Sequence, residues 1–198
     1  MNTKLFRKLE AAGGAVVFAL ASFLHFFYDI TQGSILGALL GSVNESVWEH
    51  LKIFATAYLI WATIELLWAK PPLRKFVWAK ALGLYFMCTS IALFFYTYTL
   101  FTGKPILVLD LASSLVFAAL AHYLSYRITM NESNKGQYFY TGVMLIFLAM
   151  IMILCFTFYP PDSILFKDPV TGGYGIIPDY FDKGDVALDA MYLLSAEI

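Results

Sequence analysis

Residues 138–159 read YFYTGVMLIFLAMIMILCFTFY, without one charged side chain, and Pro160-Pro161 closes the run. A helix rises 1.5 Å per residue and the bilayer's hydrocarbon core is about 30 Å thick, so roughly 20 apolar residues in succession cross it. This stretch therefore reads as a membrane-spanning helix. Working outward, comparable runs cover about 105–128, 78–101 and 11–31, and a fourth begins at Ser42 or Asn44 and continues to about Ala69, where Pro71-Pro72 stops it. The expected architecture is an all-α integral membrane bundle of about five transmembrane helices. Ile35 to Leu40, bracketed by Gly37, Gly41 and Ser42, is too short to span and reads as a re-entrant or interfacial turn. Residues 1–159 form the transmembrane domain, and 160–198 form an irregular C-terminal tail.

Composition agrees. The 198-residue chain is 60% hydrophobic, 18% aromatic and 14% charged, with mean hydropathy +0.71, whereas a soluble domain is about 25% charged. Lipid is the partner that covers so much apolar surface, and nothing supports nucleic-acid binding. Cys88 and Cys155 each sit inside an apolar run without CxxC spacing, so they read as core thiols. Ala19-Leu20-Ala21 has the look of a signal-peptide cleavage site, but the apolar run continues through Phe23, Leu24, Phe26 and Phe27, so it reads as a retained span.

Basic residues give the orientation. Lys4, Arg7, Lys8, Lys70, Arg74, Lys75, Lys80, Arg127 and Lys135 fall on one side, and only Lys104, Lys167 and Lys183 on the other. The positive-inside rule makes the first side cytoplasmic. A multi-pass cell-membrane protein is expected, with its N-terminus inside and its tail outside. Trp48 at one interface and Trp68 and Trp78 at the other fit aromatic belts.

Ionisable groups in hydrocarbon cost about 2.5–3.5 kcal/mol each on insertion scales, yet several gather near the outer end. His25 and Asp29 share a helical face. Glu45, Glu49, Lys52, Thr56 and Thr63 make one polar stripe, and Asp110 opens the fourth span with Ser113 and Ser114 a turn deeper. Asp162, Asp168 and Tyr174 follow the fifth span. Imidazole plus carboxylates on neighbouring helices suits zinc or another divalent ion. The candidate ligands are His25, Asp29, Glu49, His50 and Asp110, and the candidate acid/base groups are Glu45 and Glu49. His50 is turned about 100° from Glu49 on an ideal helix, so one centre must lie between their directions. A structural reading stands beside this one: Glu49–Lys52 as an intrahelical ion pair, Ser42-x-x-Glu45 as a capping box, and His25–Asp29 as a hydrogen bond. Glu65 is expected to pair with Arg74 or Lys70, and His122 to be a packing or interfacial histidine. Neither Asn44-Glu45-Ser46 nor Asn131-Glu132-Ser133 is read as glycosylated.

Two segments carry a resemblance: residues 44–52, NESVWEHLK, and residues 166–175, FKDPVTGGYG. With His25 and Tyr28, Tyr96-Thr97-Tyr98-Thr99 and Tyr159-Pro160-Pro161 in support, residues 20 to 177 resemble a bacterial membrane family, the domain of unknown function 6512. The resemblance implies no activity and carries over no catalytic residue. The Asp168 to Tyr174 segment is turn chemistry able to fold back as a lid over a polar vestibule. Three classes of function remain: a membrane-embedded, metal-dependent hydrolase-like enzyme acting on a small-molecule or lipid substrate at the extracytoplasmic face, a small cation or proton transporter subunit, and a structural or assembly protein. The inner halves of the spans offer only Thr63, Glu65, Thr89, Ser90 and His122 as a polar path, which weighs against transport.

Overall fold

A computed structural model describes residues 1–177. Among them are seven helices: α1 Thr3–His25, α2 Phe27–Ile30, α3 Ile35–Leu40, α4 Val47–Ala69, α5 Leu73–Thr102, α6 Leu107–Met130 and α7 Phe139–Phe158. Five of these, α1 and α4 to α7, are long and apolar enough to cross a membrane. The part of the expected tail beyond residue 177, with Lys183, lies outside the described residues.

Local chemistry sets the ends. Asn2 Oδ1 accepts the Leu5 N–H at 3.0 Å, which starts α1 well before residue 11. Gln32 and Gly33 take positive φ, and Ser34 then caps α3 by accepting from Gly37 N–H. Lys70 ends α4 in the left-handed region, and with two prolines behind it the chain reverses. Pro72 does not delay the next helix to about residue 78: it serves as the N-cap of α5, which starts at Leu73, because proline's fixed φ suits a helix start. Gly103, at φ 72°, ends α5.

The α4 start differs from expectation. Ser42-x-x-Glu45 is not the capping box; Ser46 is the N-cap, and its Oγ accepts from Glu49 N–H at 3.4 Å. Glu49 reaches back to the Val43 N–H at 2.9 Å, and Asn44 Oδ1 takes the Ser46 N–H at 2.8 Å. The cap is thus Ser46, four residues later, with Asn44 rather than Glu49 accepting its backbone N–H, and Glu45 is released from capping.

Helix α1 packs between α4 and α6, and α5 packs on both of those, closing a ring of four; α7 lies outside on α5 and touches α3. Val17, Ala21, Leu24, Phe54, Ala57, Tyr58, Leu84, Met87, Ala118 and Ala121 fill the ring. Small residues permit close approach. A side chain at Gly13 would run into the His122 ring, and one at Gly14 into Ala119. A cleft of about 680 Å³ is lined by residues of α3, α4, α5 and α7, among them Leu59, Thr63, Lys80, Phe147 and Met150. The N-terminal end of the bundle is tied by the Asn2 N–H donating to the Ala69 carbonyl at 2.9 Å. His25, Val47, Thr102, Leu107 and Phe158 stand at the opposite, distal end.

Residues 160–177 fold back onto the start of α4. The Leu165 carbonyl accepts from Trp48 N–H at 2.9 Å, the Gly175 carbonyl accepts from Asn44 Nδ2 at 2.8 Å, and the Phe166, Trp48 and Phe156 rings stack at 5.0–5.2 Å. Asp168 is buried, and its carboxylate accepts from Val170 N–H, Thr171 N–H and Thr171 Oγ. Its role is to hold a turn.

Candidate functional site

At the distal end, α1 supplies His25 from its last residue, the loop before α4 supplies Glu45, and the first turn of α4 supplies His50. His25 Nε2 lies 3.5 Å from Glu45 Oε1, and His50 Nε2 lies 3.6 Å from Glu45 Oε2. The two imidazoles are 5.2 Å apart between centroids. One donor atom from each of the three residues lies within 4.8 Å of the other two. The side chains are 25–40% exposed, so solvent reaches the group.

His50 carries the decisive detail. Its Nδ1 lies 2.9 Å from the Ser46 carbonyl, which can only accept. Nδ1 therefore holds a proton, and in the neutral ring Nε2 presents a lone pair to the Glu45 carboxylate. Two acceptors so placed require a cation or a proton between them. A backbone carbonyl on the far ring nitrogen is also how metal-bound histidines are oriented. The same Ser46 that caps α4 thus aims His50.

The remaining expected residues lie nearby in other roles. Asp29, in α2, is close enough to Glu45 for the two carboxylates to repel: burial first, and Glu45 second, push its carboxyl above its ordinary value. Glu49 is almost fully buried. It holds Lys52 Nζ at 2.6 Å and the Val43 N–H, and stands outside the three-donor group. Lys52 also donates to the Ala38 carbonyl at 2.7 Å and to Thr157 Oγ1 at 3.2 Å, so the pair ties α3, α4 and α7 together. Asp110 accepts from Tyr98 Oη at 2.6 Å, and Tyr98 Oη accepts from the Ile106 N–H; this closes the α5–α6 turn.

A second ionic group lies in the other half of the ring. Glu10 of α1, Glu65 of α4, Lys80 of α5 and His122 of α6 are all buried. Lys80 Nζ is 3.0 Å from Glu10 Oε2 and 2.5 Å from Glu65 Oε2, so Glu65 pairs with Lys80 rather than with Arg74 or Lys70. His122 Nδ1 is 2.8 Å from Glu10 Oε2, and Ser125 Oγ donates to Glu10 Oε1 at 2.8 Å. His122 is thus a fully buried, hydrogen-bonded member of an ionic cluster, not an interfacial one. Lys80 belongs to this cluster and not to a basic loop.

A family model described as a family of unknown function (DUF6512) matches residues 2–176. The chain belongs to this family. No curated protein and no solved structure matches it. The two segments that carry the DUF6512 resemblance touch each other through Asn44–Gly175 and Trp48–Phe166. Much of that pattern is therefore the joint between the α4 start and the returning loop, with Glu45 and His50 set into its edge.

Proposed function

We propose that the chain is a membrane-embedded, metal-dependent hydrolase-like enzyme of the cell envelope, with His25, Glu45 and His50 holding a divalent ion such as zinc. The observation that carries this is the Ser46–His50 hydrogen bond, which leaves the His50 Nε2 lone pair facing the Glu45 carboxylate beside His25. Two histidines and one carboxylate with an open fourth position is a donor set used by zinc hydrolases. Glu45 thus moves from the acid/base role to that of ligand. Glu49, already bonded to Lys52 and Val43, serves the helix start, and Asp110 serves its turn.

The chemistry follows from the ion. A divalent ion held by His25, Glu45 and His50 would supply a Lewis acid and an acidified water for the hydrolysis of an ester, amide or phosphoester. Such a hydrolysis would join the water oxygen to the carbonyl carbon or phosphorus, break the bond to the leaving group and deliver a water proton to that group. Asp29 is the neighbouring carboxylate suited to carry it. Lys4, Arg7, Lys8, Lys70, Arg74, Lys75, Arg127 and Lys135 crowd toward the N-terminal end, which supports placing that end in the cytoplasm and the metal site outside. A transport route finds less support, since α4 buries Ile53, Phe54, Ala55 and Ala57 between Lys52 and Tyr58, with Thr56 as the sole polar group there.

The test is hydrolysis by purified full-length protein in lipid, given zinc, against ester, amide and phosphoester probes, water-soluble and lipid-borne. Metal-dependent turnover that falls at least about 100-fold in Glu45→Gln, with the fold intact, is expected, as for loss of a group that orders the reacting centre. Turnover unchanged in that variant, or absent with every probe class, contradicts the proposal.

A further inference from the structure

The Glu10–Glu65–Lys80–His122 cluster is independent of the metal site and poses its own problem of charge. An oxygen of Glu10, an oxygen of Glu65 and a ring nitrogen of His122 all lie within 4.8 Å of one another. Such a trio resembles a metal site, but Lys80 Nζ already touches both carboxylates at 3.0 and 2.5 Å and is the cation of the group. Because His122 Nδ1 lies 2.8 Å from a Glu10 oxygen, a proton sits between them, and in the neutral ring Nε2 is left as a lone pair. Among the described residues that Nε2 is buried with no hydrogen-bond partner.

Count the charges in that state. Two carboxylates face one ammonium and a neutral imidazole, so the cluster holds one negative charge too many. It does so with every member at least nine-tenths buried among four helices. Burying an unbalanced ion costs several kcal/mol even after relaxation. A single added proton removes the imbalance, and two places can take it: the Glu65 carboxyl, close to a second carboxylate, and His122 Nε2.

We infer that this cluster is a proton-binding site, holding one exchangeable proton at neutral pH. The titratable groups around it are Glu10 from α1, Tyr58 and Glu65 from α4, Lys80 from α5 and His122 from α6. Ser125 adds a hydroxyl, and Cys88 of α5 faces Tyr58 from further off. Tyr58 stacks on His122 at 4.9 Å and lies under Lys80 Nζ at 5.1 Å, sealing the site on the distal side. On the other side Glu65 stands four residues before the end of α4, about 6 Å of helix rise from Ala69, beyond which the chain reverses at Lys70. That is a short way to water. Intramembrane ionisable groups of this kind mark proton relays in other helical proteins. Here proton release would leave Lys80 between two anions on α1 and α4, and proton uptake would leave it balanced.

Infrared difference spectra of the full chain in lipid, with isotope-labelled glutamate, test this across the neutral pH range. Magnetic resonance on isotope-labelled histidine reads His122. The site is supported by a protonated glutamate carbonyl band at neutral pH that shifts in deuterium oxide and vanishes in Glu65→Gln. It is equally supported by an imidazolium signal at His122 that vanishes in His122→Asn. If Glu65→Gln does not fold, Glu65→Asp keeps the carboxyl and is expected to move the band. Neither a protonated glutamate nor an imidazolium at neutral pH, or a band indifferent to both Glu65 variants without an imidazolium, overturns the inference.

Discussion

Glu45 and Glu49 are identical side chains four residues apart, and their surroundings give them different work. Glu49 is enclosed with an ammonium and a backbone N–H; Glu45 is one-third exposed between two imidazoles. Sequence spacing put both on one polar stripe and could not divide them, because the division depends on which serine caps α4. Both Ser42-x-x-Glu45 and Ser46-x-x-Glu49 satisfy the capping pattern. His25 and His50 were legible as neighbours, since the topology brings the end of the first span to the start of the second. Asp29 adds a consequence at this scale. Its folded-state carboxyl is held above its ordinary value, so folding disfavours its charged form. The sign is then fixed: its contribution is most favourable below the ordinary carboxylate range and is lost as pH rises through the raised value. In metal-free protein, Asp29→Asn is expected to raise the unfolding temperature at neutral pH and to leave it unchanged in acid. A lower unfolding temperature at neutral pH would contradict this.

Among the elements, the junction of α3, α4 and α7 depends on Lys52, whose ammonium makes all three of its contacts inside the protein. Lys52→Met would leave the Glu49 carboxylate buried without its counter-charge, a change that typically costs about 3–5 kcal/mol. Denaturant unfolding in detergent should show that loss, and Glu49→Gln added to Lys52→Met should recover part of it; a near-neutral single variant would contradict the account. Element boundaries explain what sequence reading missed. Counting the first apolar run from residue 11 left Glu10 outside it, and Lys80, at the edge of a run counted from about 78, was grouped with the basic residues of one side. Helix phase held the missing signal. Phe6, Leu9, Gly13, Val17, Ala21 and Leu24 share the buried face of α1 with Glu10; Phe76, Gly83, Leu84 and Met87 share the buried face of α5 with Lys80. An acid and a base on buried faces, with Glu65 and His122 already inside spans, call for one another as partners.

Across the whole molecule, the five-helix fold was readable because hydrocarbon demands long, uncharged, internally hydrogen-bonded segments, and few soluble folds leave that trace. Which helices touch was not readable, since apolar residues face lipid and protein alike; Gly13 and Gly14 mark one contact only in retrospect. The resulting bundle separates two kinds of charge. A half-exposed histidine–carboxylate group sits at the distal end, and a closed ionic cluster sits in the other half, with Tyr58 and apolar side chains between them. The central claim concerns the first. Elemental analysis of full-length protein purified in detergent and incubated with zinc, beside a folded His25→Ala, His50→Ala double variant, tests it most directly. Close to one zinc per chain is expected in the wild type, with loss of that zinc in the variant. Wild-type protein without bound metal, or a variant that keeps it, would contradict the account.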